Sequence, residues 1–141
     1  MRIRYAAALT LALTLAASPA VASTAGSGTG LPVKVQNDSI SAYPIGVEAN
    51  SAAFRCPIAT NYQNFPWDTY SYMCNLLAPS ASLYAANMDN GISDFYVGAG
   101  ASVKEWSWSG STPTYRGCWN GPGRVYINYA QVTLRSSAFY C

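Results

Sequence analysis

Short stretches of alternating apolar and polar residues recur along the chain, and they predict β-strands. Residues 31–37 and 102–109 both alternate in this way, as strands with one buried face do. A strand is also expected around Val47, and residues 124–134 predict one long strand with a short last strand after it. No segment keeps a helical period over two turns, since Pro79 interrupts the nearest candidate. The pattern predicts an all-β fold, a small antiparallel β-sandwich or barrel of roughly six to eight short strands.

Turn residues divide these strands. Asn90 and Gly91 follow Asp89 between two strand-like runs, which is typical of a hairpin turn. Residues 56–74 contain two prolines and are closed by a cysteine at each end, so we interpret them as an irregular loop. Strand order is not encoded in such local signals, and sandwich and barrel therefore remain alternatives.

The strand that carries two tryptophans fits either orientation. Side chains alternate along a strand, so Trp106 and Trp108 share one face with Lys104, while Val103 and Glu105 share the other. In one arrangement the indoles form the core face and Glu105 lies in solvent. In the other, Val103 points inward and both indoles lie outside beside Lys104. Because tryptophan is usually well buried, we favour a core position for at least one of the two rings.

The amino-terminal segment is typical of an exported protein. Residues 1–22 combine Arg2 and Arg4, an apolar run of about a dozen residues and a small-x-small motif, which predicts a signal peptide. Residues 23–30 are rich in Ser, Gly and Thr and predict a flexible tail. Residues 31–141 then form a single β domain, and we expect the mature protein to be secreted, either extracellular or periplasmic.

Charge argues against nucleic acid as a partner. The chain has eight basic and six acidic side chains, and removal of Arg2 and Arg4 with the signal peptide leaves six of each. The remaining basic residues are scattered along the sequence. Because capture of nucleic acid requires clustered Lys and Arg, we expect no nucleic-acid partner. No segment after residue 22 is long and apolar enough to predict a membrane span in the mature chain.

The four cysteines, Cys56, Cys74, Cys118 and Cys141, predict two disulfides, because an exported chain with an even number of cysteines usually pairs them all. Three pairings are possible. We favour Cys56 with Cys74 and Cys118 with Cys141, each closing a loop of roughly 20 residues, worth about 3 kcal/mol of stability. The spacings match no metal or redox motif, so no metal and no cofactor are predicted.

Residues suited to catalysis are few. The chain has no histidine, which excludes a Ser-His-Asp triad and a Cys-His pair. Two of its six acidic residues, with Glu105 as the acid between hydrophobic neighbours, are in principle enough for a glycosidase. Because any two acids permit that interpretation, we favour a non-catalytic protein.

Aromatic residues supply the main functional hypothesis. Eighteen lie after residue 22, among many Asn, Gln and Ser. Flat rings stack on the apolar faces of sugars while amides bind the hydroxyls, so we predict a binding domain for carbohydrate or cell-wall glycan. The expected ligand-binding residues are Trp67, Trp119, Tyr70 and Tyr115. We expect Trp67 and Trp119 to be accessible, because both lie in loop-like segments.

The alternative is a secreted protein ligand, such as a protease inhibitor or an antagonistic toxin. A rigid loop between Cys56 and Cys74 would lose little entropy on binding an extracellular protein. Tyrosines and tryptophans are frequent anchors of protein interfaces, and several aromatic residues crowd this loop.

Overall fold

The computed structural model describes residues 34–50, 56–58, 61–67 and 71–141. The predicted signal peptide at residues 1–22, the predicted tail at residues 23–30 and the candidate Tyr70 lie outside the described residues. Among the described residues, no helix is long and apolar enough to cross a membrane.

The described residues form nine strands and one short 3₁₀ helix. The strands are β1 Lys34–Asn37, β2 Ile45–Ala49, β3 Cys74–Leu77, β4 Ser82–Tyr84, β5 Ile92–Val97, β6 Ser102–Ser109, β7 Thr112–Asn120, β8 Gly123–Tyr126 and β9 Gln131–Ser137. The 3₁₀ helix spans Ala85–Asn87. The predicted strands at residues 102–109 and around Val47 are confirmed.

The strands form two sheets that pack face to face, so the fold is a β-sandwich. The five-stranded sheet has the order β4-β1-β9-β6-β7, and the four-stranded sheet has the order β3-β2-β5-β8. All pairs are antiparallel except β1 with β9, which is parallel. The all-β prediction is confirmed.

Strand alternation builds the core between the two sheets. The five-stranded sheet contributes Val35, Val103 and Val132, and the four-stranded sheet contributes Val47 and Phe95, all of them without solvent exposure. Burial of a side chain of this size stabilises the fold by about 1.5–3 kcal/mol. The burial pattern along β9 alternates strictly, as expected for a strand with one face in the core.

The Asn90–Gly91 turn is not a hairpin. Both residues have positive φ, +56° and +84°, as in a type I′ turn. However, β4 pairs with β1 in one sheet, whereas β5 pairs with β2 and β8 in the other. The turn therefore carries the chain between sheets, which the local sequence does not distinguish from a return within one sheet.

The single long strand predicted at residues 124–134 is wrong for a similar reason. It is divided into β8 and β9, which belong to different sheets. Residues 127–130 make the crossing. Ile127 lies in this crossing segment and is still a core residue. The apolar pattern of the sequence therefore continues across the boundary between β8 and β9, and the boundary cannot be recognised from it.

Both disulfide pairings predicted from the spacing are confirmed. Cys56 is bonded to Cys74 and Cys118 to Cys141, with Cα–Cα distances of 5.6 Å and 6.0 Å. The first bridge ties the loop at residues 56–74 to β3. The second ties the carboxyl-terminal residue to β7.

The described part of the loop between Cys56 and Cys74, residues 56–58 and 61–67, packs on the outer face of the four-stranded sheet. Its Trp67 packs with Cys56, Cys74 and Tyr96 in a second hydrophobic cluster, and Phe65 packs against that cluster. Phe65 makes edge-to-face contacts with Trp67 and Tyr96, at centroid distances of 5.5 Å and 5.8 Å. The sandwich therefore has a third layer on this side.

A buried ion pair lies in the same layer. Glu48 is 1% exposed, and its Oε2 accepts a hydrogen bond of 2.7 Å from Arg124 Nε. Its Oε1 accepts from the Cys56 backbone N–H at 3.1 Å. Arg124 also donates to the Cys56 carbonyl. These bonds fix the amino-terminal end of the loop to β2 and β8.

Candidate functional site

The outer face of the five-stranded sheet carries the two tryptophans of β6. Val103, Glu105 and Ser107 point inward and are at most 4% exposed. Trp106 and Trp108 consequently point outward, and both are half-buried. The expectation that one of these rings is a core residue is wrong, because Val103 occupies the inward position and Glu105 is buried with it.

Trp106 and Tyr115 form an aromatic pair on this face. They are partners in the β6–β7 register, and their ring centroids are 5.5 Å apart with an interplanar angle of 57°. A register shift between Glu105 and Trp106 makes Arg116 an extra residue on β7. Tyr115, which follows the shifted register, is 53% exposed. Its ring is thus available to a ligand.

Trp108 extends the aromatic surface along β6. Its Nε1 donates a hydrogen bond of 2.8 Å to Thr133 Oγ1 on β9. The bond satisfies the indole N–H and fixes the ring orientation. We refer to Trp106, Trp108 and Tyr115 together as the aromatic platform.

Arg135 holds the platform from the β9 side. Its guanidinium carbon lies 4.9 Å from the centroid of the Trp106 ring, within the range of a cation–π contact. Two of its nitrogens, Nε and Nη2, donate to Asp38 Oδ2 at 3.0 Å and 2.7 Å. These bonds to Arg135 are the main reason why the pKa of Asp38 lies below its usual value. The ring is therefore supported by a fixed cation.

A cleft of about 640 Å³ adjoins the platform at the carboxyl-terminal end of the chain. Tyr115, Lys104 and Arg135 belong to its lining, so the platform and the cleft share residues. Residues 138–141 form another wall. Two contacts besides the Cys118–Cys141 disulfide hold that wall: Ser102 Oγ donates to the Phe139 carbonyl at 2.6 Å, and the Cys141 N–H donates to Asn120 Oδ1 at 2.8 Å.

The three described residues that were predicted to bind a ligand, Trp67, Trp119 and Tyr115, are not brought together. Trp67 is 6% exposed because it packs against Cys56, Cys74 and Tyr96 on the opposite side of the sandwich, so its expected accessibility is wrong. Its Nε1 donates to the Pro57 carbonyl at 2.7 Å. Trp119 is half-buried, packs against the main core and donates to Glu105 Oε2 at 3.3 Å. Of the described candidates, Tyr115 alone lies at the platform.

Sequence reasoning did not select the residues that surround Tyr115. Trp106, Trp108, Lys104 and Arg135 share the outer face because they occupy matching positions on β6 and β9. The alternation along residues 102–109 would have identified this face if Val103 had been assigned to the core. The burial of Glu105 on the same side as Val103 obscured it, since a carboxylate usually marks a solvent face.

Among the described residues, no acidic side chain is a register partner of Glu105, which lies opposite Gly117 and Leu134. Glu105 lies between the sheets, where burial raises its pKa above the ordinary value. Glu48 and Asp94 are register partners on the outer face of the other sheet. Within the described residues, no three His, Cys, Asp or Glu side chains cluster in a way that would hold a metal ion.

Comparison of the chain with protein families, with curated proteins and with solved structures finds no match.

Proposed function

We propose that this protein is a secreted, non-catalytic binding domain that takes carbohydrate or cell-wall glycan on the aromatic platform. The observation that carries the proposal is the Trp106–Tyr115 pair, two large rings side by side on the outer face of a sheet. Rings in this position stack on the apolar face of a sugar, and the strands beneath them keep the rings in place. Export is supported by two disulfides, which persist in oxidising compartments.

Rigidity of the platform supports the same proposal. Trp106 is held by Arg135 and Trp108 by Thr133, so little side-chain freedom remains to be lost when a ligand binds. Thr133 and Arg135 add hydroxyl and guanidinium groups beside the rings. A surface that combines fixed rings with such polar groups suits a ligand with an apolar face and a hydroxylated edge.

The test is retention of the mature protein on insoluble polysaccharides, together with a glycan array. We expect Trp106→Ala and Tyr115→Ala each to weaken binding by roughly tenfold or more, the effect of losing an aromatic anchor. Tyr72→Ala is the matched control, because Tyr72 is a tyrosine with 73% exposure outside the platform. Equal retention of all three variants, with their thermal unfolding unchanged, contradicts the proposal.

The second candidate is a secreted protein ligand, such as a protease inhibitor or an antagonistic toxin. One observation favours it: Ile40, Phe139 and Tyr140 line the cleft and are 65%, 78% and 61% exposed. An apolar rim of this kind is typical of protein contacts. A protease panel tests this function, and inhibition that is lost in Phe139→Ala but kept in Trp106→Ala supports it over glycan binding.

A further inference from the structure

Two cations face each other beside the platform. Lys104 on β6 and Arg135 on β9 are partners in the antiparallel register, and both line the cleft. Like charges at directly opposed positions destabilise a sheet. Asp38 offsets this cost at Arg135, and an anion bound at Lys104 would offset it at the other cation.

The two cations differ in how they are neutralised. Arg135 donates twice to one oxygen of Asp38 and forms an ion pair with it. Lys104 is exposed, and no carboxylate oxygen of the described residues lies within 4.0 Å of its ammonium nitrogen. Among the described side chains, the charge of Arg135 is therefore paired with a carboxylate, whereas the charge of Lys104 is not.

Three serine hydroxyl groups of the cleft take part in hydrogen bonds within the protein. Ser102 Oγ donates to the Phe139 carbonyl, and Ser136 Oγ donates to the Tyr43 carbonyl at 2.8 Å. Ser137 Oγ accepts from the Phe139 backbone N–H at 3.2 Å. Lys104 offers a ligand up to three N–H groups on a charge that no described carboxylate pairs with.

We propose that the bound glycan carries an anionic substituent, a carboxylate or a sulfate, and that Lys104 binds it in the cleft. The inference rests on the proposed function. Tyr115 belongs to both surfaces, so a sugar stacked on the platform has its neighbouring ring or its exocyclic group at the cleft. The rings supply stacking, and Lys104 selects for charge.

Non-specific attraction is a weak explanation for such selectivity. The whole sequence has a formal net charge of +2, and Arg2 and Arg4 account for that excess. A nearly neutral domain attracts polyanions weakly unless its cations are placed together. Binding of an anionic glycan is therefore expected to depend on Lys104 and not on Lys34, the other lysine of the sequence.

The experiment compares three immobilised polymers: polygalacturonate, dextran sulfate and uncharged cellulose. Lys104→Gln is compared with Lys34→Gln, which removes the same charge from β1 of the same sheet. Strand β9 separates β1 from β6, and Lys34 lies over the Tyr84 ring of β4 at 5.7 Å. We expect Lys104→Gln to lose about tenfold in affinity for one or both anionic polymers, and Lys34→Gln to stay near wild type. Polygalacturonate and dextran sulfate distinguish carboxylate from sulfate.

The outcomes separate this inference from the proposed function. If the protein binds cellulose tightly, and this affinity falls in Trp106→Ala but not in Lys104→Gln, the proposal of an anionic ligand is overturned. The proposal that the aromatic platform binds glycan then still holds. Equal losses in Lys104→Gln and Lys34→Gln overturn the proposal of an anionic ligand as well, because they indicate general charge attraction. If none of the polymers binds and the glycan array is also blank, both proposals are overturned.

Discussion

The indole of Trp67 lies directly on Gly46. A Cβ atom at residue 46 would come within 2.5 Å of Trp67 Cζ3 and 2.7 Å of Phe65 Cε1. Gly46 is the second of the five residues of β2, and a glycine inside a strand weakens it. Its presence there is explained by the ring that it accommodates, since the loop packs on the sheet only if this position has no side chain.

Gly46→Ala is therefore expected to destabilise the protein. Overpacking of a filled site costs about 1–3 kcal/mol in free energy of unfolding. The added methyl group would displace the Trp67 ring, which is the group closest to it. Chemical denaturation measures the loss. Gly117→Ala is the matched control in the other sheet, because a Cβ there meets Trp119 at 3.4 Å, an ordinary contact. Equal stability of the two variants would show that the loop does not press on Gly46.

Tryptophan fluorescence tests the inverted arrangement of the rings. We expect acrylamide to quench Trp106 and Trp108 more than Trp67, because Trp67 is 6% exposed and the other two are on an outer face. Single Trp→Phe variants identify each contribution: Trp67→Phe removes a shielded component, whereas Trp106→Phe removes a quenchable one. A quenchable component that disappears in Trp67→Phe would refute the burial of that ring.

Features that depend on residues close in sequence could be predicted, and features that depend on distant residues could not. The limits of β6 and both disulfide pairings were predictable, since alternation and loop length depend on nearby residues. The position of Trp67 was not, because it depends on Gly46, a residue about 20 positions away that meets it through the sheet. A loop with two prolines and a cysteine at each end is usually a surface segment. Here its Phe65 and Trp67 rings pack on β2, in the space left open by Gly46.

The platform shows the same limit. Trp106 and Tyr115 are only nine positions apart, but their pairing depends on the register shift that makes Arg116 an extra residue. Arg135 reaches Trp106 from β9, a strand whose start was hidden inside a longer apolar pattern. Strand order and register bring the site together, and neither is determined by residues close in sequence.

Removal of each disulfide is expected to have a different local effect. Either loss should cost about 3 kcal/mol, since the bridged cysteines are 18 and 23 positions apart. With Cys56 and Cys74 both changed to Ala, we expect Trp67 to become quenchable by acrylamide. With Cys118 and Cys141 both changed to Ala, Trp67 should stay shielded while glycan binding falls, because the wall of the cleft is released.

Thermal unfolding and quenching of both double variants provide the measurement. The two variants serve as controls for each other, as each removes one bridge of similar loop length. Identical quenching of Trp67 in both would indicate that the loop at residues 56–74 does not depend on its own bridge.

Glu105 is expected to make stability depend on pH. It is 2% exposed, Trp119 Nε1 donates to its Oε2, and its Oε1 has no hydrogen-bond partner among the described residues. Burial raises the pKa of Glu105, although the Trp119 bond and the Arg116 charge oppose the shift. The folded state therefore binds the proton more tightly than the unfolded state, and the free energy of unfolding falls as pH rises through the folded pKa.

Glu105→Gln removes this titration and keeps the side-chain shape. We expect the variant to be more stable than wild type by about 1 kcal/mol near pH 8, because an incompletely hydrogen-bonded buried charge is gone. The difference should shrink as the pH falls through the raised pKa of Glu105, where the wild-type carboxyl takes up its proton. Asp38 does not interfere, since its pKa is lowered and its contribution is lost only at more acid pH. Asp89→Asn, at an exposed acid, is the charge-matched control. Denaturation curves that give the two variants the same pH dependence would exclude Glu105 as the titrating group, whereas a flatter curve for Glu105→Gln alone would assign it.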